Sequence, residues 1–135
     1  MSTPLYLDTS AVLRATLESG TTPEVERMIA AAPALFTSRL SLVEASRALL
    51  RGRTALRVPE PGLAAAEQEI ESLWARCDIW ELTPPICESA RVVAPGLGLR
   101  TLDALHLATF LAARRRIPGL AMLTVDDRLR LASGP

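Results

Sequence analysis

Four short, largely apolar runs, each too brief to be a helix and each followed by residues at helical spacing, limit most strongly how this chain can fold. They are Pro4 to Leu7, Ala34 to Phe36, Asp78 to Leu82 and Leu120 to Val125. None shows the strict apolar–polar alternation of a strand with one wet face. Strands buried on both faces and separated by helices belong to a mostly parallel sheet with helices on each side. The expected fold is α/β, a three-layer α/β/α sandwich of about four to five strands. At 135 residues the chain is one domain, 1–135.

Between the strands the helices are punctuated by their own residues. Thr9 to Glu18 closes on Gly20, and Pro23 opens a second helix with Glu24 and Glu26 in its first turn. Thr37 or Ser38 caps a third, Arg39 to Leu50. Arg51 to Gly62 holds Gly52, Pro59, Pro61 and Gly62, and is expected to be an exposed turn or mobile loop. Leu63 to Arg76, Thr83 to about Val93, Thr101 to Arg116 and Asp126 to Leu131 complete the helices.

Composition removes several classes of function. All fifteen basic residues are arginine, so no mechanism can use a catalytic lysine. The net charge is zero, which excludes a bulk electrostatic binder of nucleic acid. Aromatic residues make up only 4%, too few for extensive base stacking. Cys77 and Cys87 each lie among apolar residues and are expected to be buried free thiols. No apolar run approaches the roughly 20 residues of a membrane span, and the first residues carry no basic leader. The expectation is a soluble, cytoplasmic protein without a membrane partner.

The acids carry the chemistry. Asp8 ends the first strand and Asp126 the last, and open parallel sheets bind ligands beyond the carboxyl ends of their strands. Each also precedes a helix, so capping is an alternative role. Glu44 lies in the apolar helix SRLSLVEASRALL, either beside the packed face or as a surface partner of Arg47. Asp103 stands in the first turn of an equally apolar helix, where the dipole favours its charge. Four carboxylates in one cleft would repel one another unless a cation intervened. A set without histidine or cysteine ligands selects Mg²⁺, with Mn²⁺ as substitute, over zinc. Periodicity puts each acid where convergence is possible and does not establish it. His106, three residues beyond Asp103, is expected to be a packed, hydrogen-bonded histidine rather than a general base.

Four segments, in order, carry a resemblance. They are Tyr6-Leu7-Asp8-Thr9-Ser10-Ala11, Ser41-Leu42-Val43-Glu44-Ala45, Leu102-Asp103-Ala104-Leu105-His106-Leu107-Ala108 and Leu123-Thr124-Val125-Asp126-Asp127-Arg128-Leu129. Across nearly its whole length the chain resembles the PIN-domain ribonucleases, and among them the VapC-type toxins of bacterial toxin–antitoxin pairs. The resemblance implies hydrolysis of RNA phosphodiester bonds by metal-activated water, with Asp8, Glu44 and Asp103 as the core metal-binding acids and Asp126 as the fourth. Asp126 is preferred to Asp127 because the family pattern runs Thr, any residue, Asp, and Thr124 fits it. Thr9, Ser10 and Thr124 would orient a carboxylate or a water, and Arg100 would assist the phosphate or the acids. A cognate VapB-type antitoxin and a homodimer are also implied. Val12, Leu13, Leu17, Met28 and Ile29 could meet the antitoxin or be ordinary core.

Arg47, Arg51, Arg53 and Arg57 cluster on one helix end and the segment after it, and suit phosphate contacts on RNA as well as a solvated face. Arg114-Arg115-Arg116 closes a helix and reads as structural. A phospho-acceptor receiver domain would need the lysine this chain lacks. A haloacid-dehalogenase-like phosphatase would need an Asp-x-Asp motif after the first strand, where the chain reads Asp8-Thr9-Ser10. A catalytically weak PIN-fold module binding RNA or protein is the alternative to an endoribonuclease.

Overall fold

A computed structural model of the chain describes residues 3–55 and 58–134. Four strands, β1 (Leu5–Leu7), β2 (Leu35–Ser38), β3 (Cys77–Trp80) and β4 (Ala121–Leu123), form one wholly parallel sheet in the order β3-β2-β1-β4. Leu5 pairs with Leu35 on one side and with Ala121 on the other, which makes β1 a central strand. Seven helices accompany the sheet among the described residues: α1 (Thr9–Ala15), α2 (Pro23–Ala31), α3 (Arg39–Ala55), α4 (Glu60–Arg76), α5 (Pro84–Ala90), α6 (Thr101–Arg116) and α7 (Asp127–Ser133).

Each face of β1 feeds a separate core. Leu5 and Leu7 pack with Val12, Ile29, Leu49, Leu63 and Ile70 from α1 to α4. Tyr6 points the other way, against Phe36, Leu107, Phe110 and Leu129. The strand is apolar throughout because neither face meets water, and the result is the expected three-layer sandwich. Burying one such Leu or Phe contributes about 1.5–3 kcal/mol.

From β1 the chain builds outward through β2 to β3 and then returns to add β4 on the opposite side of β1. The chain thus leaves β1 toward β2 on one side and comes back to β4 on the other, so the strand order reverses between β1 and β4. Between them lies the crevice where ligands bind in such sheets.

Several expected boundaries differ. The segment Arg51–Gly62 is not a loop over its whole length, because α3 runs on to Ala55 and α4 begins at Glu60. Gly52 is accommodated because α3 and α4 approach closely there; a Cβ on it would lie 3.1 Å from Leu63 Cδ2. Pro59 is the N-cap of α4, and Pro61 and Gly62 fall in the first turn, where missing amide donors cost nothing. Helix α1 stops at Ala15 rather than Glu18, where Thr16 turns its hydroxyl back to Val12 O (2.8 Å) and a turn leads to Gly20, whose φ of +85° suits glycine. Strand β3 begins at Cys77 and ends at Trp80, two residues before Leu82, with Glu81 drawn into an ion pair with Arg39. Strand β4 is only Ala121–Leu123, and Asp126 caps α7 rather than beginning it. Both cysteines are free, yet Cys87 is exposed and Cys77 only half-buried, since α5 turns Ile86 inward and Cys87 outward. No helix among the described residues is long and apolar enough to cross a membrane.

Gly52→Val should cost about 1–3 kcal/mol in urea unfolding through overpacking against Leu63, despite valine's better helix propensity. Unchanged stability would mean that α3 and α4 do not approach this closely. Burial pushes the Cys77 thiol up to about 11, so a thiol reagent at mildly alkaline pH should modify Cys87 more than about tenfold faster. Equal rates would contradict their different settings.

Candidate active site

Immediately after β1 stands Asp8, which is 4% exposed. A carboxylate so deep must be hydrogen-bonded. Its Oδ1 accepts the Ala11 amide at 3.0 Å, which caps α1, and the Ser10 hydroxyl at 2.7 Å. Its Oδ2 accepts the Thr124 hydroxyl at 2.6 Å. Burial still pushes the Asp8 carboxyl up, against the opposing pull of Thr124, Ser10 and Ala11.

Thr124 also ties β4 to the next acid. Its Oγ1 accepts the Asp126 amide at 3.0 Å, and the Asp126 carboxylate accepts the Leu129 amide at 2.9 Å as the N-cap of α7. The Val125 amide donates to Ser10 Oγ at 3.1 Å. Capping and placement at the strand end are thus one arrangement for both Asp8 and Asp126. Asp127 differs: its side chain is 93% exposed and pairs with Arg130.

Glu44 comes from α3 and turns toward the sheet instead of toward Arg47. Its Oε1 accepts the Thr9 hydroxyl at 2.6 Å and the His106 Nε2–H at 2.7 Å. Partial burial raises its carboxyl, but the hydrogen bonds from His106 and Thr9 and the charges of His106 and Arg51 outweigh it, and Glu44 rests below the usual range. His106 is itself buried, with Nδ1 2.9 Å from the Tyr6 hydroxyl.

Asp103, in the first turn of α6, has no hydrogen bond or ion pair among the described residues. Its carboxyl is raised, first by burial and then by the negative charge of Asp126, with Asp8 and Glu44 adding to it and His106 opposing. Asp103 thus lies near enough to Asp126, Asp8 and Glu44 for the charge of each to act on it. Glu44, Asp103 and Asp126 line an open cleft of about 710 Å³ together with Arg100, Thr101, Leu102, Asp127 and Arg128.

A hard cation suits this donor set. The available ligands are carboxylate and hydroxyl oxygens, the cysteines lie elsewhere, and both nitrogens of His106 are engaged. Among the described residues no three acidic, histidine or cysteine side chains form a ready-made cage. Mg²⁺ does not need one, because it keeps several waters and is held directly by one or two carboxylates.

The arginines fall into two groups. Arg100 and Arg128 line the cleft, Arg51 lies near enough for its charge to act on Glu44, and Arg47 is exposed on α3. Arg53 is bound by Glu60 and Glu67 across the α3–α4 junction, while Arg57 lies outside the described residues. Arg114 and Arg116 lie over Phe110 and Trp80. Of the apolar residues considered for an antitoxin, Val12 and Ile29 are core, Leu13 and Leu17 pack against it, and Met28 is exposed. Sequence reasoning overlooked Arg128 and Tyr6; the only tyrosine of the chain, set in an apolar strand, signals a hydroxyl in need of a buried partner.

Raised carboxyls predict a cost of keeping these acids charged. The Asp103 carboxyl is held above its unfolded value, so its ionisation opposes folding once the pH rises past that value. Asp103→Asn should therefore raise the unfolding midpoint at pH 7 without divalent cations, and the gain should vanish below about pH 4. A destabilised variant at pH 7 would contradict the electrostatics of the cleft.

A family model for the PIN domain matches residues 5–134. Ribonuclease VapC45 of Mycobacterium tuberculosis is 33% identical over 126 residues, covering 93% of this chain and 85% of that protein. The crystal structure of Mycobacterium tuberculosis VapC20, a sarcin–ricin loop cleaving toxin, superposes with a TM-score of 0.66 at 19% identity, over 95% of this chain and 94% of that one. A chain of a toxin–antitoxin complex from Klebsiella pneumoniae gives 0.59 at 19% identity, over 87% and 95%. These two likenesses concern the fold. The chain belongs to the PIN-domain family and, within it, to the VapC-type ribonucleases.

Proposed function

We propose that the protein is a Mg²⁺-dependent endoribonuclease, with Mn²⁺ able to replace Mg²⁺, and that it acts as the toxin of a VapBC-type toxin–antitoxin pair. The observation that carries the catalytic reading is an open cleft lined by Glu44, Asp103 and Asp126 from separate parts of the chain, with Asp8 near enough for its charge to act on Asp103. Kinship with proteins named ribonuclease supports RNA as the substrate. The fold shared with a chain of a toxin–antitoxin complex supports a VapB-type antitoxin as partner. A homodimer belongs to the same proposal.

The residues divide the work by what each oxygen has left to offer. Asp103 has no hydrogen-bond or ion-pair partner among the described residues, which leaves both its oxygens to serve a hydrated cation or an attacking water. Glu44 offers Oε2, since Oε1 is occupied by Thr9 and His106. Asp8 and Asp126 complete the negative field, with Ser10 and Thr124 fixing the Asp8 carboxylate. When bound, Mg²⁺ would neutralise the phosphate charge and favour in-line attack of water on phosphorus, the leaving oxygen departing on the opposite side. Arg100 and Arg128 on the cleft, with Arg47 and Arg51 on α3, would contact the RNA phosphates and offset the repulsion between RNA and acids.

Cleavage of a mixed RNA pool tests the proposal. RNA should be cut with Mg²⁺ and not with EDTA. Asp8→Asn and Asp103→Asn should each slow cleavage by more than about 100-fold, beyond the loss usual for residues that only support a ligand. Cutting that persists in EDTA or in both variants would overturn the metal-site reading. Absence of cutting under every condition would favour a binding module.

A further inference from the structure

The mechanism leaves one buried polar group without a task. Tyr6 is wholly buried in β1, His106 is 2% exposed on α6, and their side chains meet at 2.9 Å between hydroxyl and Nδ1. The rings stand edge to face, with centroids 6.0 Å apart, and Phe110 packs on Tyr6 in the same manner. Two polar side chains in an apolar layer cost folding energy unless they serve each other or something beyond. Here they continue outward, from His106 Nε2 to Glu44 Oε1 at 2.7 Å.

The direction of this chain is settled by what each atom can do. A neutral His106 that accepts the Tyr6 proton at Nδ1 carries its own proton at Nε2, and an imidazolium carries one there as well. In both states Nε2–H donates to Glu44. Thr9 Oγ1 occupies the same carboxylate oxygen at 2.6 Å, so Oε1 has two donors and little capacity left. The carboxylate is thereby fixed in rotation, with Oε2 as its free oxygen.

We propose that His106, seated on Tyr6, is a positioning residue that locks the Glu44 carboxylate so that Oε2 alone is presented to a cation in the cleft. This rests on the metal-dependent reading above. The pair touches a cleft-lining residue at Glu44, and its rigidity comes from the core: Tyr6 cannot move without disturbing β1 and Phe110. An unlocked Glu44, half-exposed on a helix, would spread over several rotamers and meet the cation less often.

The test is Mn²⁺ binding to the full chain by calorimetry, with unfolding midpoints recorded for every variant. His106→Leu removes the donor to Glu44, Tyr6→Phe removes its support, and His106→Gln restores an amide N–H at nearly the Nε2 position. Leu and Phe variants that remain folded should bind Mn²⁺ about 10- to 100-fold more weakly, and His106→Gln should return to within about threefold of the wild type. Wild-type affinity in folded Tyr6→Phe and His106→Leu would overturn the proposal, as would equal loss in the Leu and Gln variants. Should His106→Leu not fold, the comparison of Tyr6→Phe and His106→Gln decides alone. Asp103→Asn separates the two readings. Binding that is absent from the wild type, or that survives Asp103→Asn, overturns the metal site itself, whereas binding lost in Asp103→Asn and kept in His106→Leu overturns only the positioning role.

Discussion

A carboxylate is buried at the end of the central strand, and the neighbouring structure is arranged to tolerate it. Asp8 would be an uncompensated buried charge without the Ala11 amide, the Ser10 hydroxyl and the Thr124 hydroxyl. Those three donors come from the start of α1 and the end of β4, so satisfying one side chain fixes the junction of two elements distant in sequence. Thr124 then orients the backbone into Asp126, and Ser10 receives the Val125 amide. The same bonds that make the acid affordable define the floor of the cleft.

Even so, the compensation is incomplete. Burial leaves Asp8 raised in spite of its donors, and Asp103 is raised with no donor among the described residues. Glu44, by contrast, is held below its usual range, because it owns a histidine as well as a threonine. The cleft therefore carries acids of unequal proton affinity within reach of one another. That inequality follows from which elements lend hydrogen bonds: α1 and the residue after β4 serve Asp8, α1 and α6 serve Glu44, and no described element serves Asp103.

The order of elements and the sandwich were legible because they depend on local pattern: β1 reads as apolar on both sides, and Pro23, Thr83 and Pro84 mark helix starts. The placement of Asp8, Asp126 and Asp103 at element ends was legible for the same reason. What escaped was everything decided between elements. Arg51–Gly62 looked like a loop because glycine and proline were weighed alone, whereas the close approach of α3 to α4 makes room for Gly52 and first-turn geometry admits Pro61. Arg53 looked free because Glu67 is fourteen residues away in sequence, yet α4 folds it alongside. The contact of Tyr6 with His106 spans a hundred residues, and no spacing rule encodes it.

That long reach has a consequence in time. β4 is the last of the four described strands, and the residues just after it supply both the hydroxyl on Asp8 Oδ2 and the route to Asp126. During synthesis from the N-terminus, β1, β2 and β3 emerge and can pair while the far side of β1 is still vacant. Until Thr124 and Asp126 leave the ribosome, Asp8 lacks its third donor and the cleft lacks a wall. The acidic cleft is therefore assembled after the rest of the sheet, and a nascent chain lacks it until β4 and Asp126 have emerged.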